Sequence, residues 1–292
     1  MNFMRLNNIS LSGIADEAAQ TLDMQIKAHQ MLGWQSIELR SIQGLSIAEL
    51  DEAAFNDVVS LIQSHEMKVT AFSSKVGNWE RPITFDKETE KEELKRIAER
   101  MHRLKTRYVR IMSYPNDGLE PQEWKEKVIA RVKELTTLAE QEDIILLHEN
   151  CAGWGGQSAA NTIELITSIN SQALRLLFDI GNGITYGYDS LSFLKAVYPY
   201  VEYVHMKDSL SDGQNIHFTF PGAGESKAAE CLAYLADLNY KGVISIEPHI
   251  HLIPHLGEVP GNENDHFASY IKYGRETEQL VRSIMKTGVL NG

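Results

Sequence analysis

Four side chains able to ligate a metal stand at matching places in four successive apolar runs. Glu149 ends Ile144-Ile145-Leu146-Leu147-His148-Glu149, and Asp179 ends Leu176-Leu177-Phe178-Asp179. His205 ends Val201-Glu202-Tyr203-Val204-His205, and Glu247 ends Val243-Ile244-Ser245-Ile246-Glu247. One carboxylate at the end of an apolar run has an ordinary explanation: it caps the next helix or meets water. Four chelating groups at equivalent ends are harder to explain that way. Carboxylates held together repel and raise one another's pKa values, and a divalent cation removes that cost. Three carboxylates and one imidazole suit a single Mn²⁺, Mg²⁺, Co²⁺ or Zn²⁺ ion. The lack of thiolate ligands argues against a structural zinc site. A metal held on two adjacent oxygens of a hydroxy-ketone acidifies the C–H between them and favours the enediolate. Glu149 and Glu247, at the two ends of the four-run arc, are the candidates to remove and return that proton. Asp179 has the shorter stem and stays on the metal.

Other residues carry weaker signals. Glu38 ends an earlier run and would point at the same mouth, where it meets a substrate hydroxyl or forms a rim salt bridge. Asn150 and Trp154 follow Glu149; a tryptophan beside a sugar stacks on its apolar face, but it serves as often as a packing anchor. Lys207 lies two residues after His205, so the strand period points it the same way, toward an anionic or enolate oxygen. Asp208 either orients Lys207 or caps a loop. His249, His251 and His255 have the spacing of a second metal site, but a loop rich in His and Pro is more often a lid or a subunit contact. His148 is expected to face away from Glu149 and pack between strand and helix. Gly222–Gly224 is too short for a phosphate loop by itself, although a helix N-terminus can take an anion.

The elements that must position these residues alternate along the whole chain. Short apolar runs span Ile9–Ile14, Ser36–Leu39, Lys68–Ser73, Tyr108–Met112, Ile144–His148, Leu174–Ile180, Val201–Met206 and Val243–Glu247. They are continuous rather than alternating, as strands buried on both faces are. Amphipathic stretches separate them: 22–32, 47–65, 87–105, 123–142, 159–169, 191–198, 228–238 and 267–285. Eight strands alternating with eight helices predict βα units and a parallel sheet. An open sheet usually announces a Gly-rich loop after its first strand. Here Asp16-Glu17-Ala18-Ala19 follows instead, so the prediction is an α/β fold, one (β/α)8 TIM barrel over residues 1–292. Its catalytic groups belong at the C-terminal strand ends. A long loop is expected at about 249–267.

Composition bounds the partners. A chain of 292 residues suits one such barrel. Its net charge of −12 disfavours a nucleic-acid partner but permits a small anion in a local site. Two cysteines, Cys151 and Cys231, imply no disulfide framework, and Met1–Ser10 lacks an apolar signal segment. No run approaches a membrane span. A cytoplasmic location is expected, and the loop after the eighth strand could build a contact in a homo-oligomer.

Leu147-His148-Glu149-Asn150, Phe178-Asp179-Ile180-Gly181-Asn182, Val204-His205-Met206-Lys207-Asp208, Gly222-Ala223-Gly224-Glu225 and Ile246-Glu247 together resemble the xylose isomerase-like barrels. That sugar phosphate isomerase/epimerase group includes ketose 3-epimerases, hydroxypyruvate isomerase and inosose dehydratase. The resemblance covers almost the whole chain. It implies that Glu149, Asp179, His205 and Glu247 are the metal ligands and that Glu149 and Glu247 are the acid/base pair. Three positions depart from the epimerase pattern. Asn182 stands where the family often has a substrate-contacting His, Ser211 where epimerases often have Arg, and Gly155 where they often have a second Glu. The endonuclease branch, with further His ligands on earlier strands, is not matched.

The expectation is a metal-dependent isomerase or epimerase acting on a sugar, sugar phosphate or polyol through an enediolate. The alternatives are a dehydratase on a keto-sugar or keto-inositol, which starts from the same proton abstraction, and a non-catalytic sugar-binding barrel.

Overall fold

The computed structural model describes residues 9–253, 257–258 and 262–288. Eight parallel strands make one sheet: β1 (Ser10–Gly13), β2 (Ser36–Leu39), β3 (Lys68–Ser73), β4 (Tyr108–Ser113), β5 (Ile145–Gly153), β6 (Leu174–Asp179), β7 (Val201–Met206) and β8 (Val243–Ile246). They pair in the order β1-β8-β7-β6-β5-β4-β3-β2. A parallel bridge between Ile14 and Glu38 brings the end of β1 to β2, so the sheet is a nearly closed barrel. Around it run α1 (Leu22–Leu32), α2 (Glu52–Ser64), α3 (Lys87–Leu104), α4 (Pro121–Gln141), α5 (Ala159–Ile169), a short α6 (Asn182–Tyr186), α7 (Ser190–Val197), α8 (Ala228–Asp237) and α9 (Glu263–Gly288). This is the (β/α)8 architecture that the alternation of runs predicts.

The strand period sorts side chains between two cores. Ala71, Leu147, Leu177 and Tyr203 form a small cluster inside the barrel. Their neighbours in sequence, among them Phe72, Leu146, Leu176, Phe178 and Val204, join the larger core beneath the helices. Two residues beyond the inner cluster, the same inward direction carries Ser73, Glu149, Asp179 and His205. The inner apolar layer is thus the floor of the polar site. On the outer side, stripes such as Leu94, Ile97 and Met101 on α3 and Val128, Val132 and Leu135 on α4 are buried against the sheet.

The helix starts follow capping chemistry. Asp51, Asp86, Ser158 and Asp189 each accept from a backbone N–H three residues on, which fixes the starts of α2, α3, α5 and α7. The stretch 47–65 predicted a longer second helix; the Asp51 cap delays its start to Glu52. Strand β5 continues to Gly153 rather than ending near His148. Asp208–Ser211 and Ile216–Thr219 form an antiparallel hairpin after β7. The loop after β8 is shorter than 249–267, because α9 starts at Glu263; within it Leu252–Ile253 pairs with Gly257–Glu258. His255 lies outside the described residues. Among the described residues no helix is long and apolar enough to cross a membrane.

Candidate metal centre

The ends of β5, β6 and β7 and the residue after β8 bring Glu149, Asp179, His205 and Glu247 together. One donor atom from each lies within 4.8 Å of the other three, and all four residues are buried. His205 Nδ1 stands 4.0 Å from Glu149 Oε1, 4.0 Å from Asp179 Oδ2 and 3.6 Å from Glu247 Oε2. His205 Nδ1 is buried and makes no hydrogen bond, while the buried Asp179 Oδ2 and Glu149 Oε2 meet the cations of Lys207 and Arg110. Leaving a buried polar atom without a hydrogen bond costs about 1–3 kcal/mol. A bare imidazole nitrogen converging with three hard carboxylates is a donor set that suits a divalent ion, so the residues fit one.

Glu38 fixes the orientation of the imidazole. Both of its carboxylate oxygens lie 3.1 Å from His205 Nε2, which leaves Nδ1 directed at the cluster. Ser73, Tyr203 and Ser245 hydroxyls donate to the same carboxylate at 2.6, 2.9 and 2.6 Å. Burial opposes the charge on Glu38, but His205 and the Ser245 and Ser73 hydroxyls hold its pKa down at about 2. Burial likewise opposes a charged His205, and the Glu38 and Glu247 carboxylates outweigh it, raising the imidazole to about 10. Glu38 is fully buried, a layer below the mouth. The expectation of a substrate contact or rim salt bridge is corrected: Glu38 acts on the histidine.

Three cations thread between the carboxylates. Lys207 Nζ lies 2.9 Å from both Asp179 Oδ2 and Glu247 Oε2. Arg110 Nη1 lies 3.4 Å from Glu149 Oε2 and 3.7 Å from Glu247 Oε1. Arg40 reaches Glu247 and Glu17 at 3.4 Å each and Asp16 at 2.9 Å. Burial acts against the Glu247 carboxylate, yet Lys207, His249 and His205 keep it well below the usual range. Burial pushes Asp179 up to about 7; Lys207 opposes the rise, and Glu247 and Glu149 add to it.

Glu149 and Glu247 open onto a cavity of about 110 Å³ whose lining also includes Arg110, Asn182 and Lys207, with Trp79 and Phe218 as aromatic walls. Lys207 and Asn182, both expected at the site, line this cavity. Asn150 and Trp154 do not line it, and for them the expectation is corrected. Asn150 has the opposite strand parity from Glu149. Its amide donates to the Asp179 carbonyl and its carbonyl oxygen accepts from Asp179 N–H, tying β5 to β6. Trp154 is buried in the outer core, with the Lys125 ammonium over its ring. Asp208 caps a loop, accepting from Gly222 and Gly224 amides. His148 is fully buried, facing the outer side. His249 lines the cavity and bonds Glu17, whereas His251 stacks on His266 at 5.0 Å. Glu17, Glu247 and His249 form a second group with metal-competent atoms. Arg40 and mutual hydrogen bonding already occupy that group.

Comparison with known proteins agrees with the fold. The sequence model for the xylose isomerase-like TIM barrel matches residues 26–269. The chain belongs to the xylose isomerase-like TIM barrel family. An inosose dehydratase of Bacillus thuringiensis (strain Al Hakam) is 28% identical over 141 residues, 43% of this chain and 47% of that protein. The chain thus spans about half the length of the curated relatives it matches. A D-tagatose 3-epimerase-like protein superposes with a TM-score of 0.74 at 16% identity, covering 96% of this chain and 100% of the other. The IOLI protein with a bound zinc atom gives 0.74 at 16% identity, over 96% and 99%. The probable 3-DHS dehydratase AsbF of Bacillus anthracis gives 0.70 at 15% identity, over 90% and 98%.

Within this xylose isomerase-like barrel the departures have local causes. Asn182 opens α6, where its side chain donates to Glu149 Oε1 and to the Asn150 carbonyl, both at 3.2 Å. Ser211 is exposed at the end of the hairpin strand. Gly155 is buried so closely that a Cβ there would stand 2.7 Å from Leu165 Cδ2 and 3.0 Å from His148 Nε2. Arg40, Arg110 and Glu17 escaped the sequence reading, which followed only the late strand ends. A charged residue inside the run Tyr108-Val109-Arg110-Ile111-Met112 was the available signal for Arg110.

Proposed function

We propose that this chain is a divalent-metal-dependent isomerase or epimerase that moves a proton on the carbon beside a carbonyl of a sugar or polyol. One arrangement carries the reading: Glu149 and Glu247 both line the cavity, each with an oxygen in the metal-competent cluster, and Arg110 stands between them. Glu149, Asp179, His205 and Glu247 would hold the ion. When bound, it supplies Lewis-acid polarisation of adjacent substrate oxygens, which acidifies the C–H between them. One glutamate takes the proton and the other returns it, at the same carbon from the opposite face for epimerisation or at the neighbouring carbon for isomerisation. Asn182 and Lys207 orient the substrate oxygens. Burial of the pair excludes bulk water from the exchange.

A second reading, dehydration, is favoured by the names of the relatives, inosose dehydratase and 3-DHS dehydratase. It begins with the same abstraction; a β-hydroxyl then leaves with a proton as water and a C=C bond forms. The two are separated by incubating metal-loaded protein with ketoses and inososes in D₂O. Deuterium entering the substrate skeleton without loss of water is expected for the first reading, and a product lighter by one water for the second. Glu149→Gln should lower turnover by about 100-fold or more. Full activity in that variant overturns the proposed site, and neither exchange nor turnover across the panel overturns the enzyme reading.

A further inference from the structure

We propose that His249 is a substrate-binding residue: Glu17 holds its imidazole in the cavity wall, where it hydrogen-bonds one substrate hydroxyl beside Glu247 and so sets which hydroxyl pattern the site accepts. The inference rests on the proton-transfer reading and adds a specificity-determining residue that the reading does not use.

The backbone gives the first sign. His249 has a φ of 53°, in the left-handed region that residues other than glycine seldom occupy. Such conformations persist where the surroundings enforce them, and they cluster at active sites and ligand clamps. Here one carboxylate enforces it. Glu17, in the turn Ala15–Glu17 after β1, accepts from the His249 backbone N–H at 2.7 Å through Oε2. Its Oε1 lies 3.0 Å from ring Nδ1. A carboxylate at Nδ1 places the ring proton there, so Nε2 is the acceptor nitrogen of the neutral imidazole. Phe218 meets the same ring in a T-shaped contact, with centroids 5.0 Å apart. Glu17 and His249 are buried, and His249 and Phe218 both line the cavity. The ring is thus fixed from its own backbone, from Nδ1 and from one side.

The same support reaches Glu247. Arg40 lies 3.4 Å from Glu17 Oε1 and 3.4 Å from Glu247 Oε1, so one guanidinium sets the two carboxylates in a constant relation. One polar atom from each of Glu17, Glu247 and His249 lies within 4.8 Å of the other two. Glu149, the other glutamate, has the Asn182 amide at 3.2 Å instead. A carbon between the glutamates therefore meets an amide beside Glu149 and an imidazole beside Glu247. A hydroxyl bound by that imidazole is held in register with Glu247. An analogue lacking it leaves a polar atom of the site without its partner, which is how such sites reject near-isosteres.

The test compares wild type with His249→Gly. Glycine accepts the left-handed backbone and keeps the N–H to Glu17 while deleting the ring. Metal-loaded proteins are given a ketohexose and an inosose, each beside its single-deoxy analogues, and deuterium entry from D₂O is followed. In wild type, loss of one particular hydroxyl should lower kcat/KM by about tenfold or more, mainly through KM, and in His249→Gly the same loss should cost less than about threefold. Equal losses in both proteins at every hydroxyl overturn the proposal, since a ring that only packs singles out no hydroxyl. Glu17→Gln, which loosens the ring without deleting it, should narrow the same gap; wild-type discrimination in that variant overturns the part assigned to Glu17. The sugars are also titrated calorimetrically into each protein. A hydroxyl-specific loss of affinity without deuterium entry defeats the proton-transfer reading alone, and no sugar binding to wild type defeats both. Metal content is counted in parallel. Two ions per chain in wild type, falling to one in His249→Gly, overturn the proposal, because His249 would then be a ligand.

Discussion

His205 is the residue on which the site turns, because its two nitrogens face two different things. Nε2 is committed to both oxygens of Glu38, so Nδ1 is the nitrogen left for the cluster of Glu149, Asp179 and Glu247. A ligand histidine held this way has a fixed ring orientation and greater basicity. Glu38→Gln should therefore loosen the metal rather than remove a reacting group. The expected result is a fall in metal affinity of about 10–100-fold by calorimetry. Turnover should recover largely at saturating metal, which separates positioning from catalysis. Unchanged affinity would rule out this role for Glu38.

At the scale of elements, the sequence carried most of what matters. The strand runs at 36–39, 68–73 and 201–206 agree with the observed strands residue for residue, because each is short, apolar and bounded by turns. The four positions that meet in the cluster were legible for a related reason: strand ends in a barrel share one rim, so residue type at the end suffices. The stagger between strands was not legible. Glu38 ends β2 as Glu149 falls in β5, yet it lies deeper, against Tyr203 and Ser245, and register alone decides that. Parity was legible but unused for Asn150, which must point opposite to Glu149. The turn after β5 shows how tightly such elements are fitted. Gly155 packs against Leu165 of α5 and the His148 ring, with its N–H donating to Ser113 Oγ at 2.8 Å. Gly155→Ala should cost about 1–3 kcal/mol through overpacking. Urea unfolding midpoints would measure it; an unaltered midpoint would show that the α5 contact yields freely.

At the scale of the whole molecule, acid stability integrates every titrating group, and one buried histidine can be isolated within it. The chain carries a net charge of −12, and acidification reduces that repulsion while protonating buried groups. His148 is fully buried and neither ring nitrogen makes a hydrogen bond. Burial lowers its pKa from 6.5 to about 3. The folded form therefore refuses a proton that the unfolded chain accepts. Stability from this residue is complete above the unfolded value of 6.5 and falls as pH drops through that value toward 3. By pH 4 the loss is roughly 3 kcal/mol, since each unit of difference is worth about 1.4 kcal/mol. His29 behaves in the same sense: burial lowers it to about 4 despite its hydrogen bond to the Ser36 carbonyl. Asp179, pushed up to about 7, acts oppositely in metal-free protein, so the bare pH profile of the wild type mixes signs. The decisive quantity is the difference between wild type and His148→Leu, which keeps an apolar side chain on the outer face of β5 and leaves the other groups in place. Denaturant unfolding at pH 7 and pH 4 should show the variant losing about 3 kcal/mol less than wild type between the two. Parallel losses in both proteins would mean that His148 is protonated in the folded barrel, and that the space between β5 and α5 admits water or charge.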